Sequence, residues 1–398
     1  MEAFAKRIRA RGDLRGPRAR LRHAIGSSHR KYNARPVPVT LAERLRQRIR
    51  REGPISFADF MEAALYDDEA GYYCRERRRW GREGDYRTSP ERSVLFAATF
   101  ANCFASLFQK LGVPGSWVVL ESGAGSGEFA EGMLDTLLLR SPAVFKATRY
   151  VIDERSPSSR AVAAERLARF GSQVEFARIS DFESIPIGII FSNELLDAFP
   201  VHRVMVRSGE LAEFFVKTNE AGRFEWSIQE PSTTDLESYF AGMSLRLAEG
   251  QIAEVNLGVK KWIGAAAETL GRGFLVTVDY GATAAELFSE SVRPEGTLRS
   301  FSRHQFIDDL LAVPGEYDIT SSVNWSDVMQ TGVGFGLETI TFERQDRFLM
   351  NEGLLEELEL RVSETEDQAE RSRLRSSCRD LILPNGMAAS FQVLVQEK

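Results

Sequence analysis

Residues 117–128 read Trp117-Val-Val-Leu-Glu121-Ser-Gly123-Ala-Gly125-Ser-Gly127-Glu128, and a helical pattern continues to Leu139. A short apolar run, a glycine-rich turn and a helix in that order are the opening unit of a parallel α/β sheet. The glycines permit a tight turn and let backbone N–H groups approach a ligand at the positive end of the helix. A P-loop would end in Lys-Ser/Thr, and Glu128-Phe129 stands there instead. The dinucleotide fingerprint needs Gly or Ala at position 128, and neither Ser122 nor Ser126 sits in the GxSxG frame of a hydrolase elbow. An acid two places ahead of GxGxG remains, the pattern that receives the amino-acid end of S-adenosylmethionine.

The same alternation extends on both sides. Tyr150 to Ile152, Val174 to Phe176, Ile187 to Phe191 and Phe274 to Val278 read as further strands, with helices over Ser158 to Phe170 and up to Leu270. The pattern predicts a Rossmann-like α/β sheet covered by helices. Between Pro200 and Gly250 it lapses into three antiparallel-looking strands (201–206, 210–216, 223–228) and a helix to Leu247. The division expected is a basic, disordered tail over 1–40, a helical and lid region over 41–115, a first α/β part over 116–199, an insertion over 200–250 and a second α/β part over 251–398. One charged helix is expected over Leu354 to Arg379, then a last strand, Phe391 to Val395.

Candidate site residues follow from where strands end, since ligands of open α/β sheets lie outside the carboxyl edge. Asp153 and Glu154 close the second strand, where a carboxylate can accept from both ribose hydroxyls. Glu154 is preferred because an acid-x-Ser-Pro turn follows it. The fourth strand ends in Ser192-Asn193-Glu194-Leu-Leu-Asp197, and the fifth in Asp279-Tyr280-Gly281. Single acids at such positions commonly cap helices; three acids and an amide on two adjacent ends are expected to form a site, with Asn193, Glu194, Asp197 and Asp279 as its catalytic candidates. Gly123, Ala124, Gly125 and Gly127, with Glu121, Glu154 and Asn193, are the cofactor-binding candidates.

Composition narrows the function classes. Of 398 residues 43% are hydrophobic and 27% charged, the range of a globular chain. Residues 1–36 carry eleven Lys/Arg against Glu2 and Asp13, so the rest of this −6 chain is strongly acidic. An acidic body disfavours nucleic acid as a partner and favours a cationic one. The basic head fits a mitochondrial transit peptide, a disordered tail or an over-extended start on a bacterial protein, so a bacterial cytoplasm or a mitochondrial matrix is expected. Cys74, Cys103 and Cys378 are too scattered for a disulfide framework or a CxxC metal site, which suggests a reducing compartment and no metal. The longest apolar stretch, Phe96 to Phe108, is too short to span a membrane.

Further motifs bear on family. They include Ile55-Ser-Phe-Ala-Asp-Phe-Met61, Ala64-Leu-Tyr-Asp-Asp68, Gly71-Tyr-Tyr73 and Gly84-Asp-Tyr-Arg-Thr-Ser-Pro-Glu91. Downstream come Asn193-Glu194, Asp197-Ala-Phe-Pro200, Asp279-Tyr-Gly281, Gly296-Thr-Leu-Arg299 and Pro314 to Thr320. In this order the chain resembles the MidA-like family of S-adenosylmethionine-dependent methyltransferases, whose mitochondrial member assists complex I assembly as a protein arginine methyltransferase. The resemblance implies a class I methyltransferase sheet, S-adenosylmethionine as cofactor, and an arginine-containing protein of the respiratory complex I type as substrate. A homodimer is compatible with it. It also implies that 84–91 folds over the cofactor, adding Thr88, Pro90 and Glu91 to the binding set. Ala282 departs from the family, which often has His there. Glu194 is the expected clamp for the acceptor guanidinium, and His202 or His304 a candidate proton acceptor. Methylation of another nucleophile, or a non-catalytic assembly role, are the alternative readings.

Overall fold

The computed structural model describes residues 39–75, 93–302, 305–383 and 390–398, with the side chains of 301, 302, 305 and 306 left aside. The basic head, the 84–91 segment with Thr88, Pro90 and Glu91, and His304 lie outside the described residues. Strands are numbered along the chain: β1 Ile55–Ser56, β2 Trp117–Ser122, β3 Thr148–Asp153, β4 Val174–Phe176, β5 Ile185–Asn193, β6 His202–Arg207, β7 Glu210–Thr218 and β8 Phe224–Gln229. Then follow β9 Ile252–Val255, β10 Leu270–Ala282, β11 Arg299–Ser302, β12 Gln305–Phe306, β13 Asp318–Thr320, β14 Val323–Asn324, β15 Glu338–Arg344 and β16 Phe391–Glu397.

Eight strands form the main sheet in the order β15-β16-β10-β5-β2-β3-β4, with β14 joining the end of β10. The strands from β4 to β10 run parallel, and β16 enters antiparallel between β10 and β15. The order turns back at the β2–β5 pair, the place where such sheets open a crevice. The parallel core agrees with the sequence pattern, and the antiparallel β16 is what periodicity could not show. A strand direction is set by its connection, not by its residues.

Each face of the sheet is covered. Ser93 caps the helix Val94–Lys110, which carries no charged residue before Lys110. With nothing polar to hold one side in water, it buries nearly all round. Its Phe96, Phe100 and Phe104 meet Phe129 and Phe191 beneath, Phe129 and Phe191 stacking at 4.3 Å between centroids. The opposite face holds Ile263 and Trp325, from the helices Gly258–Thr269 and Trp325–Gly334, against Leu120, Ile190 and Leu275.

A second sheet runs β1-β7-β6-β9, with β8 on β7. It draws a strand from the N-terminal segment and one from beyond residue 250, so the strands of 200–250 do not form a sheet alone. The helix Leu41–Glu52, capped by a Thr40/Glu43 box, packs Leu45 and Ile49 with Phe57 and Phe60 onto Val201, Val216 and Ile319. A three-stranded sheet, β12-β11-β13, completes this side.

Three helix boundaries are corrected. The helix expected to reach Leu247 spans only Asp235–Gly242. The helix expected to reach Phe170 ends at Leu167 and tightens into a 3-10 turn. The charged segment is two helices, Leu354–Glu364 and Gln368–Ile382, because the Asp367 carboxylate caps the second by accepting from Ala369 N. No described helix is long and apolar enough to cross a membrane.

Candidate active site

The glycine turn leaves β2 with Gly123, Gly125 and Gly127 at φ 73°, 56° and 76°. A side chain at Gly123 would put its Cβ 2.9 Å from Leu195 Cδ1, and one at Gly127 would meet Ala163 Cβ at 3.1 Å. Backbone conformation and space therefore both demand glycine there. Gly127 begins the helix Glu128–Arg140, whose first amides face the crevice end.

The two acids after β3 separate in role. Asp153 pairs with Arg178 at 3.0 Å and accepts from Ile179 N, which holds the β3 and β4 ends together. Glu154, only 9% exposed, accepts from Gly125 N and Ser156 N, each at 2.7 Å. Glu154 is thus locked against the glycine turn. Behind it, Glu121 accepts from the Tyr150 hydroxyl at 2.6 Å; burial pushes its carboxyl up to about 8. At neutral pH Glu121 is largely protonated in the chain by itself.

The turn after β5 carries Asn193, Glu194 and Asp197. Glu194 adopts φ 52°, a left-handed conformation that costs a side-chain-bearing residue energy and persists only where surroundings impose it. The surroundings are explicit. Glu194 N donates to Val278 O at 2.9 Å, and Leu196 N and Asp197 N donate to Asp279 Oδ2 at 3.0 and 3.3 Å. Asn256 Nδ2 reaches Leu196 O at 3.0 Å, Ser321 N reaches Asp197 O at 2.9 Å, and the Tyr66 hydroxyl reaches Ala198 O at 2.9 Å. Four remote segments pin one short loop.

One cavity of about 730 Å³ joins these parts. Glu121, Gly123, Ala124, Gly125, Glu154, Asn193, Glu194 and Asp197 all line it. Two expected residues do not. Gly127 lies beneath the turn, against the helix Pro157–Leu167. Asp279 is 0% exposed and accepts from the amides of Leu196, Asp197 and Tyr280, so its carboxylate is spent on the loop and does not face an acceptor. His202 is also corrected. Its Nδ1 pairs with buried Glu213 at 2.7 Å inside the second sheet, and it is absent from the cavity wall.

Sequence reasoning missed the wall facing the glycine turn. Tyr66 and Tyr73 come from the N-terminal segment, Tyr280 from β10, Arg299 from β11, and Asp318 and Thr320 from β13. Tyr66 and Tyr73 lie 5.4 Å apart between centroids, and the Tyr73 hydroxyl donates to Asp318 at 2.7 Å. The signal was available: each falls within or beside a motif that carried the family resemblance, so clustering those motifs would have found the wall.

The glycine turn, the Glu154 carboxylate and a cavity above both fit an adenosyl amino acid. Residues 99–342 match the family described as S-adenosyl-L-methionine-dependent methyltransferase. The chain belongs to this family. It is also 27% identical, over 72% of its length and 68% of the relative's, to a Drosophila melanogaster protein named protein arginine methyltransferase NDUFAF7 homolog, mitochondrial. The human protein arginine methyltransferase NDUFAF7 is 24% identical over 89% of this chain and 82% of its own. A Burkholderia thailandensis protein solved with S-adenosyl-homocysteine bound superposes with a TM-score of 0.79 at 28% identity, covering 90% of this chain and 92% of that one. This protein is therefore an S-adenosylmethionine-dependent methyltransferase on a class I sheet. S-Adenosylmethionine supplies a methyl group on a sulfonium, an electrophile that needs no metal to be transferred.

Proposed function

We propose that this methyltransferase modifies an arginine side chain of a partner protein, of the respiratory complex I type that the family resemblance implies. Gly123, Ala124, Gly125, Glu121 and Glu154 hold the methyl donor in this reading, with Asn193 at its reactive end and the 84–91 segment (Thr88, Pro90, Glu91) as its cover. One observation carries the acceptor. Beside the glycine turn, in the same cavity, Glu194 and Asp197 present carboxylates and Asn193 presents a buried Oδ1 with no hydrogen-bond partner. A guanidinium is a planar fork of five donors with no acceptor, and such a wall is its complement.

Guanidinium is a weak nucleophile because its charge is delocalised. A carboxylate accepting from two of its nitrogens localises that charge and leaves the third richer in electrons. Glu194 has the position for this role, and its strained backbone fixes its direction before any acceptor arrives. The names of the fly and human relatives support the same substrate class.

The test is incubation of the purified protein with methyl-labelled S-adenosylmethionine and isolated complex I subunits, followed by mass spectrometry of the labelled peptide. The expected label sits on arginine. Label found on lysine, a terminus or a small molecule, and on no arginine, would overturn the substrate assignment while leaving the methyltransferase intact.

A further inference from the structure

Two atoms of the cavity remain without a partner after the loop contacts are assigned. Asp197 is 5% exposed and its Oδ1 receives no hydrogen bond; Thr320, also 5% exposed, has an Oγ1 in the same condition. Both residues line the cavity, with Tyr280 beside them. Buried polar atoms are rarely left alone, because each unmet group costs about 1–3 kcal/mol. Two such atoms facing one cavity point to a ligand that supplies donors.

Their relative placement is fixed by backbone. The bond from Ser321 N to Asp197 O, 2.9 Å, ties the end of β13 to the loop after β5. Thr320 also pairs in register with Arg299 of β11. The two acceptors therefore do not depend on flexible side-chain reach. Tyr66 and Tyr280 flank them, and aromatic faces favour a flat cation. A lysine ammonium would present three divergent donors on a point; a guanidinium presents parallel pairs along its edges.

We propose that Asp197 Oδ1 and Thr320 Oγ1 form the subsite for one edge of the acceptor guanidinium, opposite the edge held by Glu194, and that this pair selects arginine over lysine. The proposal rests on the arginine reading above and adds the residues that make the selection. Thr320 belongs to neither the glycine turn nor a strand end of the main sheet, so nothing in the α/β pattern points to it.

The experiment measures binding of three capped amino acids, acetyl-arginine amide, acetyl-citrulline amide and acetyl-lysine amide, to the protein saturated with S-adenosylhomocysteine. Titration calorimetry or saturation-transfer NMR supplies the readout. Wild type should bind the arginine probe about tenfold or more tighter than the other two, since citrulline has the same shape without the charge. Asp197→Asn should erase that preference, and Thr320→Val should weaken arginine about fivefold with lysine little changed. S-Adenosylhomocysteine affinity within about threefold of wild type certifies the fold of each variant. Arginine selectivity that survives both substitutions would overturn the subsite and leave the arginine reading standing. Citrulline bound as well as arginine by wild type, or no probe bound, would overturn both.

Discussion

The two halves of the cavity are built on opposite plans. The donor half comes from two short stretches, 121–127 and 153–156, each closed by its own neighbours: Glu154 locks onto Gly125, and the turn follows directly from its strand. The acceptor half is gathered from 66–73, 193–200, 280, 299 and 318–320, and exists only because three sheets meet there. Local construction makes the first half robust and recognisable. Distributed construction lets the second change its acceptor without disturbing the cofactor.

Breaking the donor half should have the largest effect. Gly125→Val forces a β-branched residue into φ 56°, costing roughly 1–2 kcal/mol before any ligand contact is lost. S-Adenosylhomocysteine affinity, read by calorimetry, should fall about 100-fold or more. Preserved affinity would show that the turn is not the donor platform.

Glu194→Gln keeps the shape of the loop and removes only charge. Turnover should drop about 10³-fold while S-adenosylhomocysteine affinity stays near that of wild type. Equal losses of both would place Glu194 in the donor half instead.

Asp279→Asn sharpens the distinction between touching the acceptor and positioning the loop that does. Asn can accept from one side only, so one of the amides of Leu196, Asp197 or Tyr280 loses its partner. The acceptor KM should rise about tenfold with donor affinity unmoved. A fall in thermal stability with no change in KM would make Asp279 structural alone.

The smallest effect is a pH dependence. Burial raises Asp197 from 3.8 to about 6, and Asp279, facing it and Glu194, is raised as well. A carboxyl raised in the folded state contributes stability that is full below its ordinary value and lost as pH rises through about 6. Asp197→Asn lacks that loss. Relative to wild type it should gain on the order of 2 kcal/mol, or a few degrees in melting temperature, between about pH 4 and about pH 7. A constant difference across that range would mean Asp197 does not titrate there.

Parts of this were legible from residues alone. Trp117 to Gly127 announced strand, turn and helix because hydrophobic period and glycine content are local properties. Glu154 was separable from Asp153 by the Ser-Pro turn that follows it. Asp279 misled for a physical reason: the sequence shows an acid at a strand end and cannot show that three amides consume it. His202 misled likewise, since its partner Glu213 lies on the neighbouring strand. Thr320 gave no sign, because a threonine ending a three-residue strand has many ordinary uses.

The sequence by itself determined the α/β order, the glycine turn and the chemistry of the methyl donor, all of which are carried by neighbours along the chain. Only the tertiary structure decided which acids face the cavity, which are spent on holding a loop, and that Tyr66, Tyr280 and Thr320 stand across from the donor. Those outcomes depend on which hydrogen bonds remote segments complete, and a linear pattern does not encode which lone pairs are left over once the chain has closed on itself.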